Sequence, residues 1–216
     1  WTRGDQLLFG IVQGGTYVGM RKESARSLVD LDFPGYAIGG LSVGESKELM
    51  YQITESTTEL LPEDKPRYLM GVGSPEDLVE CVARGIDLFD CALPTRVARN
   101  GALFTRAGRV NIGKAYFQDK LEPVDASCDC FTCVRFPVSY LHNLFKNREM
   151  LGYRLASLHN LRFILSLMER MQEAIHAGTF EDFRKNFIDT YQSTDEEARL
   201  HQHQKRLRAH HTVNPS

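Results

Sequence analysis

The sequence predicts an α/β protein, on three observations. Four short apolar runs occupy residues 7–13, 35–41, 67–72 and 86–93; stretches of helical character separate them; and each run ends near Gly, Pro or a polar residue. Unbroken apolar runs of this length are the pattern of parallel strands buried on both faces, and their alternation with helices has the period of βα units. The first run, Leu7-Leu8-Phe9-Gly10-Ile11-Val12, exits at Gln13-Gly14-Gly15 and leads to a helix over 19–31. The second exits at Gly39-Gly40-Leu41-Ser42-Val43-Gly44-Glu45 before a helix over 45–60. The third passes through Tyr68-Leu69-Met70 and Gly71-Val72-Gly73 into Ser74-Pro75-Glu76-Asp77. There an N-cap serine, a first-turn proline and two first-turn acids predict a helix over 75–84. The fourth contains Leu88-Phe89-Asp90-Cys91.

Four βα units cannot close an eight-stranded barrel, and half a barrel leaves two open edges. The chain starts at Trp1 without a Met, with its first apolar run close behind. The expectation is therefore a fragment or processed product whose other half lies upstream. From Asn100 the pattern turns to Asn100-Gly101 and Ala107-Gly108-Arg109, then to a cysteine cluster, as in a module set beside a barrel. Residues 135–191 read as mostly helical, with Leu161, Ile164, Leu165, Met168 and Met171 on a face expected to pack on the barrel or a second subunit, and Gly178 as a break. After Tyr191 the chain is polar and His-rich, an expected exposed helix or frayed tail. The expected division is 1–100 for the βα units, 101–160 for a metal-binding subdomain, 161–191 for C-terminal helices and 192–216 for the tail.

With 216 residues and 42% apolar content the chain can bury a sizeable core. Its net charge of −2 does not announce nucleic-acid binding, so any such surface must be local. No apolar run approaches a membrane span and the first residues lack a signal-peptide layout, so a cytoplasmic protein is expected.

Of five cysteines, three crowd into Cys128-Asp129-Cys130-Phe131-Thr132-Cys133. Three thiolates at that spacing can reach one zinc ion at about 2.3 Å if the backbone turns tightly. A fourth ligand is needed, and spacing favours His142 or His159 over His176 without deciding between the two. Four protein ligands close the site, so its role is structural, on the order of 10 kcal/mol of metal-dependent folding energy. Asp90 is a carboxylate at the end of an apolar strand, where barrel enzymes place catalytic groups, and a carboxylate there can attack an anomeric carbon. Residues 91–118 hold Arg96, Arg99, Arg106, Arg109 and Lys114 with no acid, a candidate for phosphates. The glycines after the first two strands can admit a planar ligand to the backbone, and Met70 can pack on a flat ring.

Taken in order, Gly10-Ile11-Val12-Gln13-Gly14, Gly39 through Glu45, Tyr68 through Gly73, Phe89-Asp90-Cys91, Pro94 through Gly101 and the cysteine triplet resemble the tRNA-guanine transglycosylase family, the queuine tRNA-ribosyltransferases, over about residues 7–190. The resemblance implies the C-terminal half of a (β/α)8 barrel with an inserted zinc-binding subdomain and C-terminal helices. It implies Asp90 as the nucleophile that attacks C1′ of the wobble guanosine of tRNA. Gln13, Gly40 and Leu41 look like the base-edge readers and Met70 like the stacking surface. Residues Gly71, Val72, Gly73, Ser74, Pro75, Glu76 and Asp77, with Thr95, Arg96, Val97, Ala98 and Arg99, match the family's tRNA-contacting segments. The family's ligand spacing selects His159 beside Cys128, Cys130 and Cys133 for one structural zinc per chain. A homodimer is expected.

The upstream acids that the family uses as general acid/base and as a further base reader have no counterpart in this chain, which alone is expected to be inactive. Val43 matches the bacterial form of its motif and points to 7-aminomethyl-7-deazaguanine as the incoming base. The competing reading is a non-catalytic, zinc-stabilised tRNA-binding partner subunit, and Asp90 beside Arg96 and Arg99 argues against it.

Overall fold

The structure, a computed structural model, describes residues 4–192. Four parallel strands, β1 (Phe9–Val12), β2 (Gly35–Ile38), β3 (Arg67–Met70) and β4 (Leu88–Asp90), form one sheet in chain order. Helices α1 (Val18–Val29), α2 (Lys47–Thr58) and α3 (Pro75–Val82) connect them. The caps act as their residue types dictate: Ser46 accepts from Leu49 N–H, and Ser74 accepts from Asp77 N–H while its hydroxyl donates to the Asp77 carboxylate.

Register decides which side chains share a face. Val12, Ile38, Leu69 and Phe89 lie in one row and pack with Ala25, Met50, Ile53 and Cys81 beneath the helices. The opposite row is Ile11, Ala37, Tyr68 and Leu88, and it leaves Ile11 42% and Leu88 45% exposed. Among the described residues no strand pairs with the outer edge of β1 or β4. One face of the sheet is thus a finished core and the other an apolar surface.

After β4 the chain enters α4 (Leu93–Arg99) and an antiparallel hairpin of β5 (Ala102–Thr105) and β6 (Gly108–Asn111). Helices α5 (Phe131–Arg135), α6 (Val138–Lys146), α7 (Met150–His176) and α8 (Phe180–Thr190) follow. The 27-residue α7 is the spine. Its first half shares a core with Ala98, Leu103, Ile112 and Leu141, and its second half, through Leu167 and Met171, packs on Leu78 and Val79 of α3 and Phe187 of α8. The division expected at 160/161 falls inside this unbroken helix. The Glu80 carboxylate accepts from Arg84 at 2.6 Å and from Arg184 at 2.9 and 3.0 Å, which ties α3 to α8.

Three expectations change. The strands are shorter than their apolar runs, because Gly39 to Leu41, Gly71 and Cys91 onward leave the ladder to form loops. The run at 86–93 gives a three-residue strand whose end feeds α4, a helix the sequence reading did not separate from the turn-rich stretch. On α7, Leu161 and Leu165 are 43% and 58% exposed, and the buried stripe is Asn160, Leu167, Met171 and Ala174, with Phe163, Ile164 and Met168 at its margins. Two apolar stripes overlap on this helix, and contact with α3 and α8 selects one. Gly178 does break the helices, at φ +70° between α7 and α8. The expected tail lies outside the described residues from 193 onward. Among the described residues no helix is long and apolar enough to cross a membrane.

Candidate functional site

Asp90 is the last residue of β4, opposite Met70 of β3, and Tyr68 lies two residues earlier on the same face. The Tyr68 hydroxyl donates to Asp90 Oδ1 at 2.6 Å, and Gly71 N–H donates to the same oxygen at 3.0 Å. These two donors hold the carboxyl below its usual range, the tyrosine being the larger cause. The hydrogen bond to the carboxylate raises the Tyr68 hydroxyl to about 12, so it remains a donor through neutral pH. Asp90 is exposed, and no hydrogen bond among the described residues goes to its Oδ2. The result is an anion with one oxygen anchored and one available. In the sequence Tyr68 stands out only as part of a motif; the parallel register and the two-residue repeat of a strand are the signals that aim it at Asp90.

The loops after β1 and β2 meet at the same end of the sheet. A Cβ on Gly39 would come within 2.6 Å of Gln13 Nε2, and one on Gly40, at φ +66°, within 2.8 Å of Gln13 Oε1. The Gln13 amide therefore lies over Gly39 and Gly40. At Gly14 the space a side chain would fill is taken by Arg21, whose Cγ and N would each lie 2.9 Å from a Cβ. That glycine serves internal packing and not ligand approach. Arg21 is fully buried and donates to Gly15 O at 2.6 Å, Gly39 O at 2.9 Å, Gly40 O at 3.3 Å and Val12 O at 3.5 Å. Leu41 is buried, and the Glu45 carboxylate accepts from the N–H groups of Ser42 and Val43. Val43 is 83% exposed and walls no closed pocket among the described residues.

A cleft of about 240 Å³ runs from Ser42 past Gly71, Gly73 and Cys91 to Arg96, Arg109 and Tyr191. Gly73 is there because a Cβ would strike Cys91 Cβ at 2.3 Å. The residues matched to tRNA contacts divide by exposure. Arg96 and Arg99 are exposed on α4, Thr95 and Val97 are half-buried, and Gly71 is exposed. Val72, Gly73, Pro75 and Ala98 are buried, so they shape the surface without offering side chains to a ligand. Glu76 and Asp77 face Lys47 at 2.8 and 2.9 Å, and Asp77 also accepts from the Tyr51 hydroxyl at 2.6 Å. Their carboxylates build the α2–α3 junction. The basic stretch splits as well: Arg96 and Arg109 line this cleft, whereas Arg106 lies beside Cys128, Arg162 and Arg170.

The cysteine cluster closes on α7. Sγ of Cys128, Cys130 and Cys133 lie 3.7, 3.5 and 3.3 Å from His159 Nδ1, and the four donor atoms are all within 4.8 Å of one another. A sulfur and a nitrogen on a tetrahedral zinc are about 3.6 Å apart, given bonds of about 2.3 and about 2.0 Å. These residues therefore fit a metal such as zinc. Cys130 caps α5, its sulfur accepting from Cys133 N–H at 3.3 Å, which folds the Cys-x-x-Cys turn. His159 Nε2–H donates to Phe104 O at 2.7 Å, leaving Nδ1 as the ligand atom. His142 is excluded: its Nδ1 bonds Ile112 O at 2.8 Å in another part of the module.

The neighbouring residue ties this centre to α4. Asn160, fully buried, accepts from Phe104 N–H and donates to Pro94 O and Ala102 O, each at 3.0 Å. Adjacent residues of α7 thus hold the Cys3His cluster, the hairpin and the start of the helix that carries Arg96 and Arg99.

A family profile described as queuine tRNA-ribosyltransferase matches residues 1–193. Proteins described by the same words are similar to the chain in several bacteria. One from Thermoanaerobacter pseudethanolicus is 57% identical over 186 residues, covering 86% of this chain and 50% of the relative. One from Herpetosiphon aurantiacus is 57% identical over 192 residues, covering 89% and 49%. One from Staphylococcus aureus is 54% identical over 187 residues, covering 87% and 49%. The chain spans about half the length of the curated relatives it matches.

Proposed function

The chain belongs to the queuine tRNA-ribosyltransferase family, and on that premise we propose that the complete protein is a tRNA-guanine transglycosylase. In this reading the four βα units are half of a (β/α)8 barrel, and the exposed row of Ile11 and Leu88 faces its interior. The free oxygen of Asp90 attacks C1′ of the wobble guanosine. The C1′–N9 bond breaks, guanine leaves with a proton from an acid outside this chain, and the ribose stays on Asp90 as an ester. N9 of the incoming base then attacks C1′, loses its proton and returns the carboxylate, so configuration is retained over two displacements.

The observation that carries this proposal is the state of Asp90: anionic, anchored through Oδ1 by Tyr68 and Gly71, with Oδ2 unencumbered at a strand end. Gln13 and the Gly40 and Leu41 backbone read the base, Met70 stacks on it, and exposed Arg96 and Arg99 bind phosphates. Cys128, Cys130, Cys133 and His159 hold one zinc per chain, which supplies structure and no chemistry. Val43 supports 7-aminomethyl-7-deazaguanine as the incoming base, through its match to the bacterial motif. The test is Asp90→Asn in the complete protein. The covalent tRNA adduct should vanish from a denaturing gel, because an amide is too poor a nucleophile, while tRNA still binds in a filter assay. An adduct that persists removes Asp90 from the role.

A further inference from the structure

Arg21 is a buried cation with an unusual set of partners. All its hydrogen bonds go to main-chain carbonyls, three of them in the loops after β1 and β2, and none of the ion pairs of the described residues includes it. Burial holds the guanidinium below its ordinary value, and the charge of Glu45 opposes that shift without reversing it. A buried charge costs several kcal/mol in general, and neither the α1 helix nor the sheet needs one here. Simple helix–sheet packing would be served by a leucine or methionine.

The carbonyls it binds explain its presence. A peptide's N–H points opposite to its C=O, so a cation on the carbonyls of Gly39 and Gly40 lies behind the N–H groups of Gly40 and Leu41. It polarises those N–H groups, as charge-assisted bonds strengthen their neighbours along a chain. No hydrogen bond among the described residues uses either N–H. The same guanidinium binds Gly15 O, which fixes the β1 exit that carries Gln13, and the Gln13 amide lies over Gly39 and Gly40. A planar fork of several donors is suited to reach carbonyls of two loops at once; a lysine would reach fewer.

We infer that Arg21 is a positioning residue for the exchanged base: it clamps the two base-reading loops together and sharpens the Gly40 and Leu41 N–H donors toward an acceptor such as a purine carbonyl. This rests on the assignment of Gln13, Gly40 and Leu41 to the base, so that assignment is tested alongside it. Steady-state exchange of labelled guanine into tRNA is measured for the complete protein, its Arg21→Lys and Arg21→Gln variants, and Gln13→Ala as control. Lys keeps the charge and loses the fork; Gln keeps a donor and loses the charge.

Metal content and melting temperature should stay near wild type in Arg21→Lys. KM for guanine should rise about three- to tenfold with Lys and more than tenfold with Gln, while KM for tRNA, set by phosphate contacts on α4, changes less than twofold. A guanine KM within twofold of wild type in either folded variant would overturn the inference, as would a tRNA KM that rises in step. Loss of folding in both variants would overturn it too, by making Arg21 a residue of the fold and not of the base site. If Gln13→Ala leaves the guanine KM unchanged, the base-site assignment fails, and the Arg21 inference falls with it; a rise with Gln13→Ala but not with Arg21→Lys or Arg21→Gln sinks the Arg21 inference alone.

Discussion

The Cys3His module and the strand ends around Asp90 treat polar groups in opposite ways. At the module each donor finds a partner inside the chain: four ligand atoms converge, the second nitrogen of His159 is spent on Phe104 O, and Asn160 has three bonds in a fully buried setting. At the strand ends groups are left over, namely Asp90 Oδ2 and the N–H groups of Gly40 and Leu41. A saturated cluster is what a site needs to hold structure, since each unpaired buried polar group costs about 1–3 kcal/mol. Unspent groups held from behind by Tyr68 and Arg21 are what a site needs to meet a substrate. The contrast separates scaffold from chemistry without appeal to any motif, and it can be broken at several points.

The largest effect is expected at the module. Cys130→Ser should drop metal content well below one ion per chain and melt the hairpin and α5–α7 core at a much lower temperature, because an opened tetrahedral site forfeits most of a metal-linked folding energy on the order of 10 kcal/mol. Elemental analysis and a thermal melt on the same sample check both; unchanged stoichiometry would remove Cys130 from the ligand set.

Next is Asn160→Ala, which strands Phe104 N–H and Pro94 O in a buried setting and Ala102 O in a part-buried one. A loss of about 3 kcal/mol is expected from the denaturation midpoint, with metal content intact and tRNA affinity reduced as α4 loosens. Metal loss in this variant would mean that the two neighbouring residues of α7 act as one unit, blurring the comparison.

Arg96→Ala and Arg99→Ala belong to the other region and should spare stability, both side chains being exposed. Each should weaken tRNA binding a fewfold and lower the slope of log affinity against log salt by about 1. A melting temperature that falls with them would show α4 arginines to be structural.

The smallest effect is expected for Tyr68→Phe. Removing the principal donor to Asp90 lets its depressed pKa rise toward the ordinary carboxylate value. Since the attacking form is the anion, the acid limb of adduct formation should move to higher pH while the rate at neutral pH changes little. A pH profile that does not move would show that Gly71 N–H alone sets the charge state.

How much of this was legible in the sequence differs between the two regions for the same reason. The ligand triplet is local: three cysteines within six residues state their chemistry by spacing, whereas the short helix α5 that Cys130 caps shows only in the structure. The four βα units were legible because apolar runs and the Ser74-Pro75-Glu76-Asp77 cap are local too. The hairpin was not, since β5 is buried at three successive positions and so shows no alternation. Nor was the facing of α7, where neighbouring stripes of similar apolarity are separated only by which helices come to lie on them.

By itself, then, the sequence determined the α/β class, the order of the four βα units, the strand-end acid and the cysteine cluster, because helix caps, apolar runs and ligand spacings are short-range interactions along the chain. Only the tertiary structure decided that Tyr68 is bonded to Asp90 22 residues away and that Glu76 and Asp77 belong to Lys47 and Tyr51; cysteine spacing left His142 and His159 open, the family resemblance implied His159, and the packing of α7 on the cysteine turn brings its Nδ1 to the sulfurs. It alone decided that Arg21 stands behind Gly39 and Gly40. These pairings join residues from about 18 to 30 positions apart in sequence, and nothing in a local pattern selects among such partners until strand register and helix packing bring one of them within about 3 Å.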